Sequence, residues 1–265
     1  MIKFPLLILV FAIIGFDLSF QLPQLSGRIV GGQDAKIKDV PYQLSLWYSN
    51  DFICGASIIH IKWSITAAHC LSIKGLNKNY LSVGAGSEFK KNGNCYKILT
   101  VIIHSSYKTT SADNDIALLE IQGEFKFGEF INAVELPEAT FEPPSGLEVT
   151  VSGWGCTEEK NCKIAGGVND SESLKKVSVT IVNHKECETN YKQKKRLVTK
   201  NMICAGDLKF GGKDACINDS GGPMVANRKL YGIVSWGEGC GNKNYPGVYT
   251  HVAKYIKWIK KNAKI

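Results

Sequence analysis

Short runs of β-branched and aromatic residues, set apart by Gly, Asn and Pro, recur along most of the chain and predict strands rather than helices. The clearest runs cover residues 42–47, 96–103, 116–121, 147–152 and 177–182. In the first, Tyr42, Leu44 and Leu46 alternate with Gln43 and Ser45, the period-two pattern of a half-buried strand. Near the end, 223–226 and 230–236 flank Asn227-Arg228-Lys229, which reads as a hairpin. Many short strands with turn residues between them argue for an all-β sandwich or barrel. The last segment, 252–261, changes period. There Val252, Tyr255, Ile256 and Ile259 share one helical face, with Lys254, Lys257, Lys260 and Lys261 around the others. This predicts a C-terminal amphipathic helix docked on the β structure.

The first residues follow neither period. Lys3 precedes an apolar run over 4–16, shorter than the about 20 residues of a membrane-spanning helix and arranged like a secretory signal peptide. No small-x-small cleavage site stands out between Gly15 and Gln21, so the signal segment is assigned to residues 1–20 with an approximate end. No second apolar run follows, which predicts a soluble, secreted protein with no membrane partner.

Nine cysteines behind a signal segment imply disulfides made in an oxidising compartment, and the odd count leaves at least one thiol unpaired or bonded to another chain. No CxxC or His-rich spacing points to zinc. The net charge of +8 is spread along the chain, with Lys192, Lys194, Lys195 and Arg196 as the densest group. With no recognition motif beside it, this charge reads as a solvated face, and no nucleic-acid partner is expected.

Three motifs carry chemistry. They are Thr66-Ala67-Ala68-His69-Cys70, then Asp113-Asn114-Asp115-Ile116-Ala117-Leu118, then Asp219-Ser220-Gly221-Gly222-Pro223. Amide hydrolysis by a serine needs a hydroxyl, a base to take its proton and a group that orients the base. Ser220, His69 and Asp115 are of those three types. Taken singly, each motif also fits a packed histidine, a turn aspartate or a glycine loop; in this order and together they point to a nucleophilic hydrolase.

On these motifs the chain resembles the chymotrypsin/trypsin family of serine proteases, from Ile29 to the C-terminus, and among its members the mite digestive trypsins, the group 3 allergens. The resemblance implies two six-stranded antiparallel β-barrels, at about 29–138 and 139–265, the second ending in the helix. It implies that Ser220 attacks the scissile carbonyl, His69 shuttles the proton, Asp115 sets the His69 tautomer and Ser235 supports Asp115. Residues 21–28 become an activation peptide, cut at Arg28-Ile29, after which the freed Ile29 amine pairs with Asp219. Asp214 becomes the acid at the base of the specificity pocket, walled by Gly237 and Gly247, which favours cleavage after Arg or Lys. Oxyanion donors are the backbone N–H groups of Asn218 and Ser220. Disulfides Cys54–Cys70, Cys187–Cys204 and Cys216–Cys240 follow from the same match. The implied partners are protein or peptide substrates and protein inhibitors, with the enzyme a monomer that needs no metal and no cofactor.

The sequence also departs from the family. Asn218 stands where the family has glycine, preceded by Ile217, and Asn is among the least costly replacements if φ must be positive. Its side chain is expected to crowd the leaving-group side, giving a slowed or inhibitor-resistant enzyme in which Asn218→Gly raises kcat/KM. Cys95, Cys156 and Cys162 have no standard partners; a Cys156–Cys162 link and a Cys95 loop near Cys156 are both open. Asn169-Asp170-Ser171 is a glycosylation acceptor pattern in a Gly-rich polar stretch. Two other readings stand beside the protease: a protease-like protein that binds without catalysis, and a basic module for anionic surfaces.

Overall fold

The computed structural model describes residues 31–156 and 170–265. The signal segment 1–20, the peptide 21–28, Arg28, Ile29, Cys162 and Asn169 lie outside the described residues.

Two closed six-stranded antiparallel barrels make up the fold. The first comprises β2 (Gln43–Tyr48), β3 (Asp51–Ile58), β4 (Trp63–Thr66), β5 (Leu81–Ala85), β6 (Asn94–Ile103) and β7 (Ala117–Ile121), closed by β2 pairing with β5. The second comprises β8 (Glu148–Gly153), β9 (Lys175–Val182), β10 (Met202–Gly206), β11 (Pro223–Ala226), β12 (Lys229–Trp236) and β13 (Gly247–His251), closed by β8 pairing with both β9 and β11. A two-residue strand, β1 (Gln33–Asp34), adds to the outside of β9. Closure removes the free edges that an open sheet would expose.

Each barrel is filled by the inward-facing residues of its strands. Leu44, Leu46, Ile58, Ile65, Val83 and Leu118 are buried in the first. Val149, Val151, Val177, Val179 and Met224 are buried in the second. The alternation in β2 predicts a half-buried strand, but Gln43 and Ser45 are buried as well. Their side of the strand faces protein: Ser152 Oγ of β8 donates to Gln43 Oε1 at 2.7 Å across the seam between the barrels. Ser45 Oγ bonds the Lys90 carbonyl at 3.3 Å. Polar residues on a strand mark an outer face, not a wet one.

The β11–β12 hairpin turns on Asn227 (φ 49°) and Arg228 (φ 63°), with Ala226 paired to Lys229. Two residues at positive φ match the right-handed strand twist, so the turn is one residue shorter than the sequence pattern suggested. The C-terminal helix α2 (Ile256–Ala263) buries Ile256, Ile259 and Ala263 in the first-barrel core, while residues 252–255 form a tighter 3₁₀ turn before it.

A second helix, α1 (His184–Lys192), was absent from the pattern reading. Only Cys187 and Tyr191 on it are buried, one turn apart, which is too weak an apolar stripe to detect. Its signal was the N-cap: the Asn183 side chain accepts from the N–H groups of Lys185 and Glu186 at 3.0 and 3.3 Å. Among the described residues no helix is long and apolar enough to cross a membrane.

Candidate active site

The candidate residues lie where the barrels touch. Gly55 of β3 and Gly222, just before β11, approach so closely that a Cβ on Gly55 would sit 2.9 Å from the Gly222 Cα. The Gly55 N–H donates to the Ser220 carbonyl at 2.8 Å. Gly221, at φ +77°, presses on Thr66 and Ala67; a Cβ there would come within 2.5 Å of the Gly55 carbonyl oxygen. Only glycine allows this approach. It lays the Ser220 turn against the segment that leads into His69.

His69 follows β4 in a short 3₁₀ turn, Ala68–Leu71. Asp115 follows a turn containing Ala112 (φ 52°) and Asn114 (φ 58°), and precedes β7. The pair spans 46 residues of chain but only 2.7 Å from Nδ1 to Oδ2, while the His69 backbone N–H donates to Asp115 Oδ1 at 2.9 Å. Ser235 Oγ on β12 donates to Oδ2 at 2.5 Å, and Thr250 Oγ1 on β13 donates to the Asp115 carbonyl at 2.6 Å. The carboxylate is completely buried yet accepts three hydrogen bonds, which offsets its loss of water. Thr250 is a support that sequence reading missed, since nothing local marks it.

With Nδ1 committed to Asp115, neutral His69 carries its proton there and leaves Nε2 as the acceptor. Nε2 lies 3.8 Å from the Cys70 sulfur. The ligand atoms of Cys54, His69 and Cys70 cluster within 4.8 Å, but both sulfurs belong to the Cys54–Cys70 disulfide, so no thiolate pair exists to hold a metal. Among the described residues, no hydrogen bond joins Ser220 Oγ to His69; such bonds commonly tighten only when substrate binds.

Beside Ser220, Asn218 adopts φ 73°, in the left-handed region. Among the described residues, the backbone N–H groups of Asn218 and Ser220 donate to no protein acceptor. The Asn218 side chain donates from Nδ2 to Asp170 Oδ1 at 2.5 Å. Sequence reading attached no role to Asp170 beyond the glycosylation pattern.

Asp219 points inward, 1% exposed, accepting from Gly155 N–H at 2.8 Å and Cys216 N–H at 3.0 Å. A Cβ on Gly155 would lie 2.5 Å from the Asp219 carboxyl carbon, so glycine is required there. Burial pushes this carboxyl up to about 7, against the pull of the two N–H groups and with the nearby Asp170 charge adding to the rise. Gly31, at φ +70°, packs on the Gly212 carbonyl with no room for a side chain, bringing the start of the described chain against the loop that leads to Asp214.

Asp214 floors a cavity of about 300 Å³ whose lining includes Ile217, Ser220, Trp236, Gly237 and Gly247. It is 3% exposed; Oδ2 accepts from Gly241 N–H at 3.1 Å and Oδ1 has no partner. Burial pushes this carboxyl up to about 7, with the Gly241 and Ala215 N–H groups opposing. A Cβ on Gly247 would lie 2.6 Å from Asp214 Oδ1 and 3.2 Å from Tyr249 Oη, itself buried without a partner. At Gly237 the nearest atom is 3.5 Å away, so there a side chain would fill the slot rather than collide with its wall. The Cys216–Cys240 disulfide joins the two walls.

Disulfides Cys54–Cys70, Cys187–Cys204 and Cys216–Cys240 are all present. Cys95 is a free, exposed thiol on strand β6 opposite Gly84, not in a loop. Cys156 is disulfide-bonded.

The Trypsin family model matches residues 29–259. The chain is 42% identical over 236 residues to Trypsin Blo t 3 of Blomia tropicalis, covering 88% of this chain and 85% of that protein. It is 39% identical over 242 residues to Trypsin Tyr p 3.0101 of Tyrophagus putrescentiae, covering 90% and 81%. With a trypsin of Phaedon cochleariae it shares 36% identity over 270 residues and the full length of both.

Proposed function

Because the chain belongs to the trypsin family of serine endopeptidases, we propose that it is secreted as a zymogen, cut after Arg28, and that the active enzyme hydrolyses peptide bonds after Arg and Lys. The observation that carries the specificity is the Asp214 carboxylate, buried, short of a donor on Oδ1 and flooring the cavity that Ser220 also lines. A guanidinium or ammonium entering that slot supplies the missing donors and the missing charge at once.

The steps follow from the same groups. Ser220 Oγ attacks the scissile carbonyl carbon as His69 Nε2 takes the hydroxyl proton. Asp115, held by Ser235 and the His69 N–H, keeps the ring oriented and stabilises the imidazolium. The carbonyl electron pair moves onto oxygen, which the N–H groups of Asn218 and Ser220 receive; one such donor contributes roughly 2.7–4 kcal/mol in the transition state. Collapse breaks the C–N bond, His69 protonates the leaving amine, and water repeats the sequence to release the acid and regenerate Ser220.

Activation uses Asp219. Its carboxylate is buried without a cation among the described residues, so a new Ile29 ammonium finds an acceptor there and neutralises a costly charge. That pair orders the turn from Cys216 to Ser220, a switch made from one cleavage. Protein inhibitors that present Arg or Lys to the slot are the matching partners.

The test is to activate the purified precursor with trypsin, titrate Ser220 with a serine-directed reagent, and measure turnover of Arg, Lys, Phe and Leu peptides. Arg and Lys should dominate, and Asp214→Ser should cut their kcat/KM by roughly 10²–10³-fold, as when one partner of a buried ion pair is removed. An unchanged Arg preference in that variant sinks the assignment.

A further inference from the structure

A non-glycine residue at the oxyanion turn needs something to keep it at positive φ, because an L side chain is strained there. Asn218 is at φ 73° with its Nδ2 bound to Asp170 Oδ1 at 2.5 Å. Asp170 is itself pinned. It forms an isolated bridge with Cys156, whose N–H donates to the Ile217 carbonyl at 2.7 Å, while the next residue, Ser171, donates its N–H to the Trp154 carbonyl at 3.0 Å. Behind Asp170 stands Lys90, only 5% exposed, with Nζ 3.7 Å from Asp170 Oδ2, 3.7 Å from Glu172 Oε1 and 5.1 Å from the Phe52 ring centre. Lys90 belongs to the first barrel, between β5 and β6, and its N–H donates to the Glu172 carbonyl at 3.0 Å. A buried cation in one barrel thus reaches, through one carboxylate, the turn that precedes Ser220 in the other.

We propose that Asp170, backed by Lys90, is a positioning residue that holds Asn218 in the left-handed conformation from which its backbone N–H serves the oxyanion. The proposal rests on the reading of Asn218 N–H as an oxyanion donor, and it adds the device that lets asparagine work in a place suited to glycine. Released from Asp170, Asn218 relaxes toward negative φ, which rotates its peptide plane and turns the N–H out of the site. The charge-assisted bond to a carboxylate opposes that relaxation more strongly than a neutral acceptor does. Lys90 has a second effect. A lone carboxylate next to the site would repel the negative charge that develops on the substrate oxygen, and the adjacent ammonium, which Asp170 shares with Glu172, offsets part of that field. The same tether draws the Asn218 side chain onto Asp170, so the gain from Asn218→Gly shrinks to under about threefold in kcat/KM, because glycine removes the strain and the tether together.

A double-mutant cycle decides the matter. Asp170→Ala, Asp170→Asn, Asn218→Gly and Asp170→Ala/Asn218→Gly are made in the full-length precursor and activated with trypsin. Active sites are counted by serine titration, and kcat and KM are measured on an Arg peptide. Asp170→Ala should lower kcat by about tenfold, a fraction of the loss on deleting an oxyanion donor, with KM within about twofold. Asp170→Asn keeps an acceptor oxygen and should stay within about threefold of the parent. In the Asn218→Gly background, where no side chain needs holding, the cost of Asp170→Ala should fall below about twofold. Equal losses in both backgrounds, or a loss confined to KM, overturn the proposal. A parent enzyme with no titratable serine and no turnover overturns the proposed function instead, so the two failures are distinguishable.

Discussion

The cleft holds two acids that the fold buries in opposite ways. Asp115, at the His69 end, is fully buried and accepts three hydrogen bonds on its carboxylate, from His69 twice and from Ser235. Asp214, at the pocket end, is almost as buried, but Oδ1 has no donor and burial holds the carboxyl near 7. The difference separates two uses of a buried charge. A carboxylate saturated by its own protein orients a neighbour and does not change when substrate arrives. A carboxylate left short of donors is free to take a partner from outside, the use proposed for Asp214. Asp219 is a case between them, with both oxygens bonded to backbone N–H groups yet, among the described residues, no cation paired with it.

The contrast is broken most severely at Asp115. Changing it to Asn removes an acceptor and favours the wrong His69 tautomer, so kcat should fall about 10⁴-fold, as this triad does when its acid becomes an amide. Steady-state kinetics normalised to titrated sites would show it, and a loss of less than tenfold would mean Asp115 does not set the ring.

A pH series sharpens the other side. On the proposed specificity Asp214 binds the substrate cation only when ionised, and in the empty pocket its pKa is raised to about 7. The ratio of kcat/KM for an Arg substrate to that for a neutral one should therefore fall about tenfold per pH unit below 7. Taking the ratio cancels protonation of His69, which acts on both substrates. A flat ratio from pH 7 to 5 would show that Asp214 stays ionised in the empty pocket.

Stability carries the smallest effect. Asp214 has its pKa raised on folding from 3.8 to about 7, so its contribution is fully present below 3.8 and is lost as pH rises through 7. Asp214→Asn abolishes the titration. Urea unfolding of the precursor should find the variant's stability relative to wild type improved by about 2–3 kcal/mol more at pH 8 than at pH 5. A difference that does not change with pH would mean the carboxyl titrates alike in both states.

Much of this was legible in the chain. Period-two runs and turn residues are local signals, so the all-β reading and most strand positions follow from them. The three motifs fell in an order whose resemblance to a known family supplied the barrels, the disulfide pairs and the site. Other features left no local trace. Helix α1 buries only Cys187 and Tyr191, and the burial of Gln43 and Ser45 depends on a seam with β8 and on Lys90. Thr250 looks like any strand threonine until β13 brings it under Asp115, 135 residues away in sequence.

The chain by itself determined which residue types were present for hydrolysis and where the backbone would be extended, because these depend on identity and short-range spacing. Tertiary structure decided how each charge is satisfied. Only packing could give Asp115 its donors, leave Asp214 short of them, and join Lys90 through Asp170 to Asn218. Desolvation and hydrogen bonding act over a few ångströms of space, and distance along the chain does not measure that.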